Sequence, residues 1–131
     1  MSADRPRAEP DALSGPFFAA LAEGRLAVQR CADCGTRQLN QERCLTCCGE
    51  DLAWSPASGA GHVHSFVVMH TVFHPAFAGE VPYVVALVEL EEGPRVFANI
   101  EGLAPGDMRT GLRVLADLSA GASRLIFRPA D

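Results

Sequence analysis

The pattern of apolar and polar residues divides the chain into a short helical segment, a cysteine-rich segment and a long series of strands. Residues 1–15 are rich in proline, alanine and charge, and they predict a mobile tail. A helical pattern follows at residues 16–25, where Ser14 can cap the first turn and Gly24 can end the last one. The apolar side of this helix could pack onto the body of the protein or onto a partner.

Turn-forming residues separate five short apolar segments in the second half of the chain. These segments span residues 62–70, 83–90, 95–100, 113–118 and 124–128. Residues 55–61 carry serine, proline and glycine, and predict a loop. Five short strands with no long helix between them predict a small all-β barrel of the size of an OB-fold, although composition alone does not separate that fold from an SH3-like barrel.

The second of these segments carries the strongest apolar signal. Every residue from position 83 to position 88 is apolar or aromatic, so a strand here has no polar face. Strands of this kind are usually covered on both sides. We therefore expect a central strand that is covered on both of its faces.

Four cysteines lie in two C-x-x-C pairs, Cys31 with Cys34 and Cys44 with Cys47. Two residues between the sulfurs allow a tight turn to aim both thiolates at one point, and two such turns supply four soft ligands for tetrahedral Zn²⁺. Because four thiolates fill the coordination shell, the spacing predicts a structural zinc site rather than a catalytic one. Disulfides and a redox C-x-x-C centre are the alternatives, but two pairs so close in sequence favour metal.

A fifth cysteine, Cys48, stands where the second turn would ordinarily have its glycine. Cys44 could therefore pair with Cys47 or with Cys48, and Cys47 is favoured because it repeats the spacing of the first pair. Outside the metal site, Cys48 would be either a spare thiol or a redox-sensitive one.

Composition and charge narrow the possible functions. The chain has 131 residues, a formal net charge of −5 and no lysine, and its arginines are scattered. Because a phosphate-backbone binder needs a clustered cationic face, these features argue against a nucleic-acid partner. No apolar run is long enough to span a membrane and no apolar signal segment opens the chain, so we expect a cytoplasmic protein with reduced thiols.

The connection between the first two predicted barrel strands, residues 71–82, is rich in aromatic residues for a surface loop. Phe73, His74 and Phe77 lie in it, and Tyr83 follows it directly. Exposed aromatic residues favour a protein interface or a flat ligand, whereas the alternative is that they fold back over the barrel end as a lid. The histidines of this region are the best candidates for acid–base chemistry, but no nucleophile lies near them in sequence, so we predict no catalytic residue.

A set of short segments spread along the chain matches one protein family. They are residues 24–26, 29–35, 61–66, 73–77, 81–90, 111–114 and 127–129. Together with the order of helix, C-x-x-C ribbon and barrel, they resemble the zinc-ribbon and OB-fold family of acyl-CoA-associated proteins, long catalogued as a domain of unknown function. The resemblance covers nearly all of the chain after residue 15, and departs from the family at Cys48 and at Leu45, where proline is usual.

The pattern and the resemblance lead to one expected architecture. We expect a mainly β fold with an N-terminal helix and a rubredoxin-like zinc ribbon at residues 16–53. A C-terminal five-stranded OB-fold barrel is expected at residues 54–131. The mobile tail at residues 1–15 would precede both domains.

The resemblance implies a non-catalytic accessory or scaffold subunit. Members of this family typically accompany thiolase-like enzymes, such as acyl-CoA aldolases and acyltransferases, and some work beside hot-dog-fold hydratases on the same pathway. It also implies a hetero-oligomer and a possible acyl-CoA ligand. The residues expected to contact the partner or its ligand are Phe73, His74, Phe77, Tyr83 and Arg95. The competing function is a nucleic-acid-binding zinc-ribbon and OB-fold protein, which charge and the matched segments disfavour.

Overall fold

The structure is a computed structural model that describes residues 11–71, 75–118 and 124–130. These residues form one α-helix and eight β-strands. The elements are α1 (Gly15–Ala22), β1 (Ala27–Cys31), β2 (Arg37–Gln38), β3 (Leu52–Pro56), β4 (Ala60–Met69), β5 (Tyr83–Leu90), β6 (Arg95–Ile100), β7 (Arg113–Ala116) and β8 (Ile126–Pro129). The predicted mainly β architecture with one N-terminal helix is confirmed.

Helix α1 begins after a turn that is organised by an aspartate. The carboxylate of Asp11 accepts hydrogen bonds from the backbone N–H groups of Leu13 and Ser14, at 3.0 and 2.8 Å. The Ser14 hydroxyl bonds to Asp11 and makes no bond to the helix, so the predicted role of Ser14 as a side-chain cap is wrong. This turn falls within the predicted tail at residues 1–15, of which residues 1–10 lie outside the described residues.

The C-terminal end of α1 is a Schellman motif. Gly24 adopts a φ of 82° and donates its N–H to the carbonyl of Leu21 at 3.0 Å, while the N–H of Arg25 reaches Ala20 at 2.9 Å. A left-handed residue at this position favours glycine, and the prediction that Gly24 ends the helix is confirmed. Phe17 and Leu21 are buried in the core, so the helix packs onto the body of the protein.

Strands β2, β1 and β3 form a three-stranded antiparallel sheet with β1 in the centre. Strand β3 pairs with β1 along its whole length, so that Ser55 lies opposite Val28 and Pro56 opposite Ala27. The loop predicted at residues 55–61 is therefore wrong at both ends, since β4 already begins at Ala60. Proline is tolerated here because it lies at the end of a strand on the edge of the sheet.

The remaining five strands form a closed barrel in the order β4-β5-β6-β8-β7, in which β7 pairs with β4. All neighbouring pairs are antiparallel except β6 and β8. The predicted five-stranded OB-fold barrel is confirmed, and two of its strands, β5 and β6, have the predicted bounds.

Strand β5 is covered on one face only. Val84, Ala86, Val88 and Leu90 point into the barrel and are buried, whereas the residues between them are partly exposed. The prediction that both faces are covered is wrong. A closed barrel has one interior, so one face of every strand points outward unless another element lies on it.

One hydrophobic core joins the two halves of the chain. Phe17, Leu21 and Val28 from the helix and ribbon belong to the same cluster as Val63 and Phe127 from the barrel. A backbone hydrogen bond of 2.8 Å between residues 57 and 26 adds to this junction. The predicted domain boundary between residues 53 and 54 falls inside β3. Among the described helices, none is long and apolar enough to cross a bilayer.

Candidate functional site

The two cysteine turns have the same backbone geometry. In the first, the N–H of Cys31 donates to the carbonyl of residue 36, and Gly35 donates back to the carbonyl of Cys31, both at 2.9 Å. In the second, Cys44 donates to residue 49 at 2.8 Å and Cys48 donates back to Cys44 at 2.9 Å. Gly35 and Cys48 are therefore equivalent positions, and both have a positive φ, of 79° and 63°.

These turns bring four sulfurs together. The Sγ atoms of Cys31, Cys34, Cys44 and Cys47 all lie within 4.8 Å of one another. The Sγ distance is 3.7 Å between Cys31 and Cys47, and 3.4 Å between Cys34 and Cys44. Sulfurs bound to one tetrahedral Zn²⁺ at about 2.3 Å lie about 3.8 Å apart, so the four side chains fit this ion.

The position of each sulfur changes its acidity. Backbone N–H groups of Cys47 and Thr46 point at the Sγ of Cys44 and lower its pKa to about 6. The Thr36 hydroxyl, 3.1 Å from the sulfur, lowers the pKa of Cys34. At Cys47, the N–H of Gly49 lowers the pKa, but the three crowded sulfurs outweigh it and raise the pKa to about 12. A divalent cation among them would stabilise the thiolates, because its charge offsets their repulsion.

Cys48 lies outside this group of sulfurs. It is an exposed residue with a left-handed backbone, and it does not belong to the group of four cysteines. Gly49 then passes close to the cluster, where an added Cβ would lie 2.8 Å from Asp33 Oδ2 and 3.3 Å from the Sγ of Cys47. The missing side chain of Gly49 therefore lets the two cysteine turns approach each other.

Two buried glutamines, which the sequence reasoning missed, brace the second cysteine turn. The side-chain amide of Gln38 donates to the carbonyl of Arg43 at 2.9 Å and accepts from the N–H of Leu45 at 2.9 Å. Gln29 forms the same kind of two-bond clamp with the backbone of Gln41, with both bonds at 3.0 Å. The only available signal was their place on strands beside the first cysteine turn, and polar residues there ordinarily face solvent.

The predicted partner- or ligand-binding residues are only partly described. Phe73, His74 and the side chain of Phe77 lie outside the described part of the structure. Tyr83 and Arg95 both lie on the outer face of the barrel, at the start of β5 and of β6. Arg95 Nε donates to Glu89 Oε1 at 3.0 Å, and this bond lowers the pKa of the Glu89 carboxyl.

A cavity of about 520 Å³ opens where β5 begins and β6 ends. Tyr83 lines it, together with Arg124, which the sequence reasoning placed only at the start of a strand. The guanidinium of Arg124 donates to Asn99 Oδ1 at 3.1 Å and to Glu101 Oε2 at 3.3 Å. Because these partners come from a strand distant in sequence, no local pattern could have identified the cavity.

Two family profiles match the chain in succession. The profile of the ChsH2 rubredoxin-like zinc ribbon domain matches residues 18–53, and that of the ChsH2 C-terminal OB-fold domain matches residues 54–118. A probable enoyl-CoA hydratase alpha subunit from Thermomonospora curvata is 41% identical over 130 residues. This alignment covers 96% of the chain but 40% of that relative, so the chain spans less than half of its length.

Two further matches cover most of this chain and most of the protein aligned with it. A benzoylsuccinyl-CoA thiolase subunit, BbsA, from Thauera aromatica is 33% identical over 88% of this chain and 75% of its own length. A chain of the solved structure described as the Ltp2-ChsH2(DUF35) aldolase is 40% identical, with a TM-score of 0.83. That alignment covers 95% of this chain and 100% of the other. The chain therefore belongs to the ChsH2 family, whose members join a rubredoxin-like zinc ribbon to a C-terminal OB-fold domain.

Proposed function

We propose that this chain is a non-catalytic accessory or scaffold subunit of a thiolase-like acyl-CoA enzyme, either an aldolase or an acyltransferase. The observation that carries the proposal is the similarity in sequence and fold to a chain of the Ltp2-ChsH2(DUF35) aldolase over its full length. The similarity to a benzoylsuccinyl-CoA thiolase subunit supports the same class of partner.

The metal centre has a structural role in this proposal. Cys31, Cys34, Cys44 and Cys47 are the Zn²⁺ ligands, and four thiolates leave no coordination position for a substrate. Zinc would hold the two cysteine turns together and so keep the ribbon folded. Because such thiols must stay reduced to bind metal, the cytoplasm is the proposed location.

The partner complex is a hetero-oligomer in which this chain stands beside the substrate path. Phe73, His74, Phe77, Tyr83 and Arg95 are the proposed contacts to the partner subunit or to its acyl-CoA. The similarity to a probable enoyl-CoA hydratase alpha subunit is consistent with a hot-dog-fold hydratase on the same pathway. Nucleic acid and membranes are not proposed as partners, since the chain carries a net negative charge and its arginines are scattered.

Co-expression with a thiolase-like subunit encoded in the same genome tests this function. We expect the tagged chain to retain that subunit through size-exclusion chromatography, and acyl-CoA turnover to depend on the presence of both proteins. A chain that elutes alone, beside an enzyme that is fully active without it, would exclude the accessory role for that partner.

A further inference from the structure

The outer face of strands β4, β5 and β6 is an exposed apolar surface. The side chain of Phe97 on β6 is 73% exposed and that of Val67 on β4 is 54% exposed. Between them, Val85 and Leu87 on β5 point to the same side and are partly exposed. Large apolar side chains grouped on one face of a soluble protein mark an interaction site more often than scattered ones do.

The strand register makes this surface continuous. Phe97 lies directly opposite Leu87, and Val85 lies directly opposite Val67. Directly opposed residues on antiparallel strands have their Cβ atoms about 5 Å apart, so the two side chains of each pair lie side by side. Val85 and Leu87 are two positions apart on β5 and so place the two pairs next to each other. We call these four residues, Val67, Val85, Leu87 and Phe97, the apolar face.

The two ends of the apolar face differ in charge. At one end, Glu89 interacts with both Arg95 and His62, so these charges largely balance. At the other end, Val85 and Asn99 also line the cavity of about 520 Å³. The apolar face therefore adjoins the cavity through Val85 and Asn99.

One side of the cavity is polar, and the carboxylates there outnumber the cations. Among the described residues that line it, the carboxylates Glu80 and Glu101 accompany a single guanidinium, that of Arg124. Arg124 already donates to Glu101 and Asn99, and it also lies 4.0 Å from Glu80. Arg128 lies 3.7 Å from Glu101 and pairs with Asp117 as well, so two guanidiniums are shared among three carboxylates. A phosphate group entering here would meet two carboxylates and an arginine that is already paired, whereas a cationic group would meet complementary charge.

We propose that the apolar face is the docking surface for the thiolase-like partner and that a lysine or arginine of that subunit enters the cavity. This inference rests on the proposed function and names the surface that it uses. A membrane or a nucleic acid would need unpaired cations around the apolar residues. Beside the apolar face, however, Arg95 is paired with Glu89. An exposed aromatic side chain such as that of Phe97 belongs to a class of residue that is enriched at protein interfaces.

Substitution of the most exposed residue of the apolar face tests the proposal. We expect Phe97→Ser to weaken the binding of the full-length chain to the thiolase-like subunit at least tenfold in a calorimetric titration. Leu115→Ser is the matched control, because Leu115 is a 47% exposed apolar residue on β7 outside the apolar face. This control should change the affinity less than twofold, and both variants should keep the thermal unfolding midpoint of the wild type.

A charge substitution tests the cavity. We expect Glu80→Gln to weaken binding several-fold and to reduce its dependence on salt concentration, because one attraction to the incoming cation is lost.

Equal affinity of the wild type and Phe97→Ser would overturn the docking surface while leaving the accessory function intact. Failure of the wild-type chain to bind would overturn both. A self-associated wild type that Phe97→Ser converts to a monomer with unchanged partner binding would identify a contact between copies and also overturn the proposal.

Discussion

At the scale of single residues, the choice between Cys47 and Cys48 depends on backbone direction. Both follow Cys44 within four positions, and both are chemically able to bind a metal. Cys48 occupies the left-handed position equivalent to Gly35, so its side chain points away from the other sulfurs. The repeated spacing favoured Cys47 in advance, but only the hydrogen bonds of the turn place its sulfur 3.7 Å from that of Cys31.

Paired cysteine substitutions separate the two candidates for the fourth ligand. We expect Cys47→Ser to lower the affinity for zinc by at least tenfold, because a thiolate is replaced by a hard, neutral oxygen. Cys48→Ser should bind one zinc per chain like the wild type. Native mass spectrometry and the absorption spectrum of the Co²⁺-substituted protein would measure both. Equal loss of metal in the two variants would contradict the assignment.

The positive φ of Cys48 predicts a stabilising substitution. A left-handed conformation is unfavourable for a residue with a Cβ, so Cys48→Gly should raise the free energy of unfolding by about 0.5–1 kcal/mol. Thermal denaturation of the zinc-bound protein measures this change. Cys48→Ala is the control, since it removes the thiol and keeps the Cβ, and it should give no gain. A gain of the same size in both variants would show that loss of the thiol, rather than relief of strain, is responsible.

At the scale of secondary-structure elements, hydrogen bonds made by polar side chains determine where strands form as much as the apolar pattern does. Strand β2 has two residues, and one of them, Gln38, is buried among hydrogen bonds to the second cysteine turn. Local propensity could not predict such a short strand, because its stability comes from these contacts and from pairing with β1. Strand β3 was missed for the same reason, since Ser55 and Pro56, which had been predicted as part of a loop, are held in a strand by their pairing with β1.

The glutamine clamp predicts a specific loss of ribbon stability. We expect Gln38→Ala to cost about 1–3 kcal/mol, because the side chain would lose two hydrogen bonds, one to the N–H of Leu45 and one to the carbonyl of Arg43, and each contributes about 0.5–1.5 kcal/mol. Gln41→Ala is the matched control, since Gln41 is exposed and meets Gln29 through its backbone alone. Urea unfolding of both variants, with zinc affinity measured in parallel, tests this prediction. Identical midpoints in the two variants would mean that the clamp contributes nothing.

At the scale of the whole molecule, the ribbon and the barrel share one core. Leu26 and Val28 from the ribbon side belong to the same buried cluster as Val88 and Phe127 of the barrel. Trp54, the one tryptophan of the chain, lies on β3 and packs against this cluster. Loss of order in the ribbon should therefore expose part of the barrel core and weaken the barrel as well.

Zinc removal tests this coupling. A chelator should unfold the ribbon, because structural zinc supplies folding free energy directly, and it should also lower the unfolding temperature of the barrel. Trp54 fluorescence would report the ribbon, and calorimetry would report the whole chain. Readdition of Zn²⁺ should restore both signals. A barrel transition that stays at the same temperature after chelation would show that the two parts are stable independently.

The sequence by itself determined the features that depend on neighbouring residues. The paired C-x-x-C spacing indicated a metal-binding ribbon, Gly24 indicated the end of the helix, and alternating or continuous apolar segments indicated five barrel strands. These signals are local, because a turn or a strand is encoded by residues within a few positions of one another.

Only the tertiary structure decided the features that depend on distant segments meeting. Closure of the barrel leaves one face of β5 outside, which creates the apolar face around Phe97. The cavity forms where Arg124, near the C-terminal end of the chain, meets Asn99 and Glu101. Strand register and long-range pairing set these contacts, and a pattern read along one segment carries no information about which other segment will lie beside it.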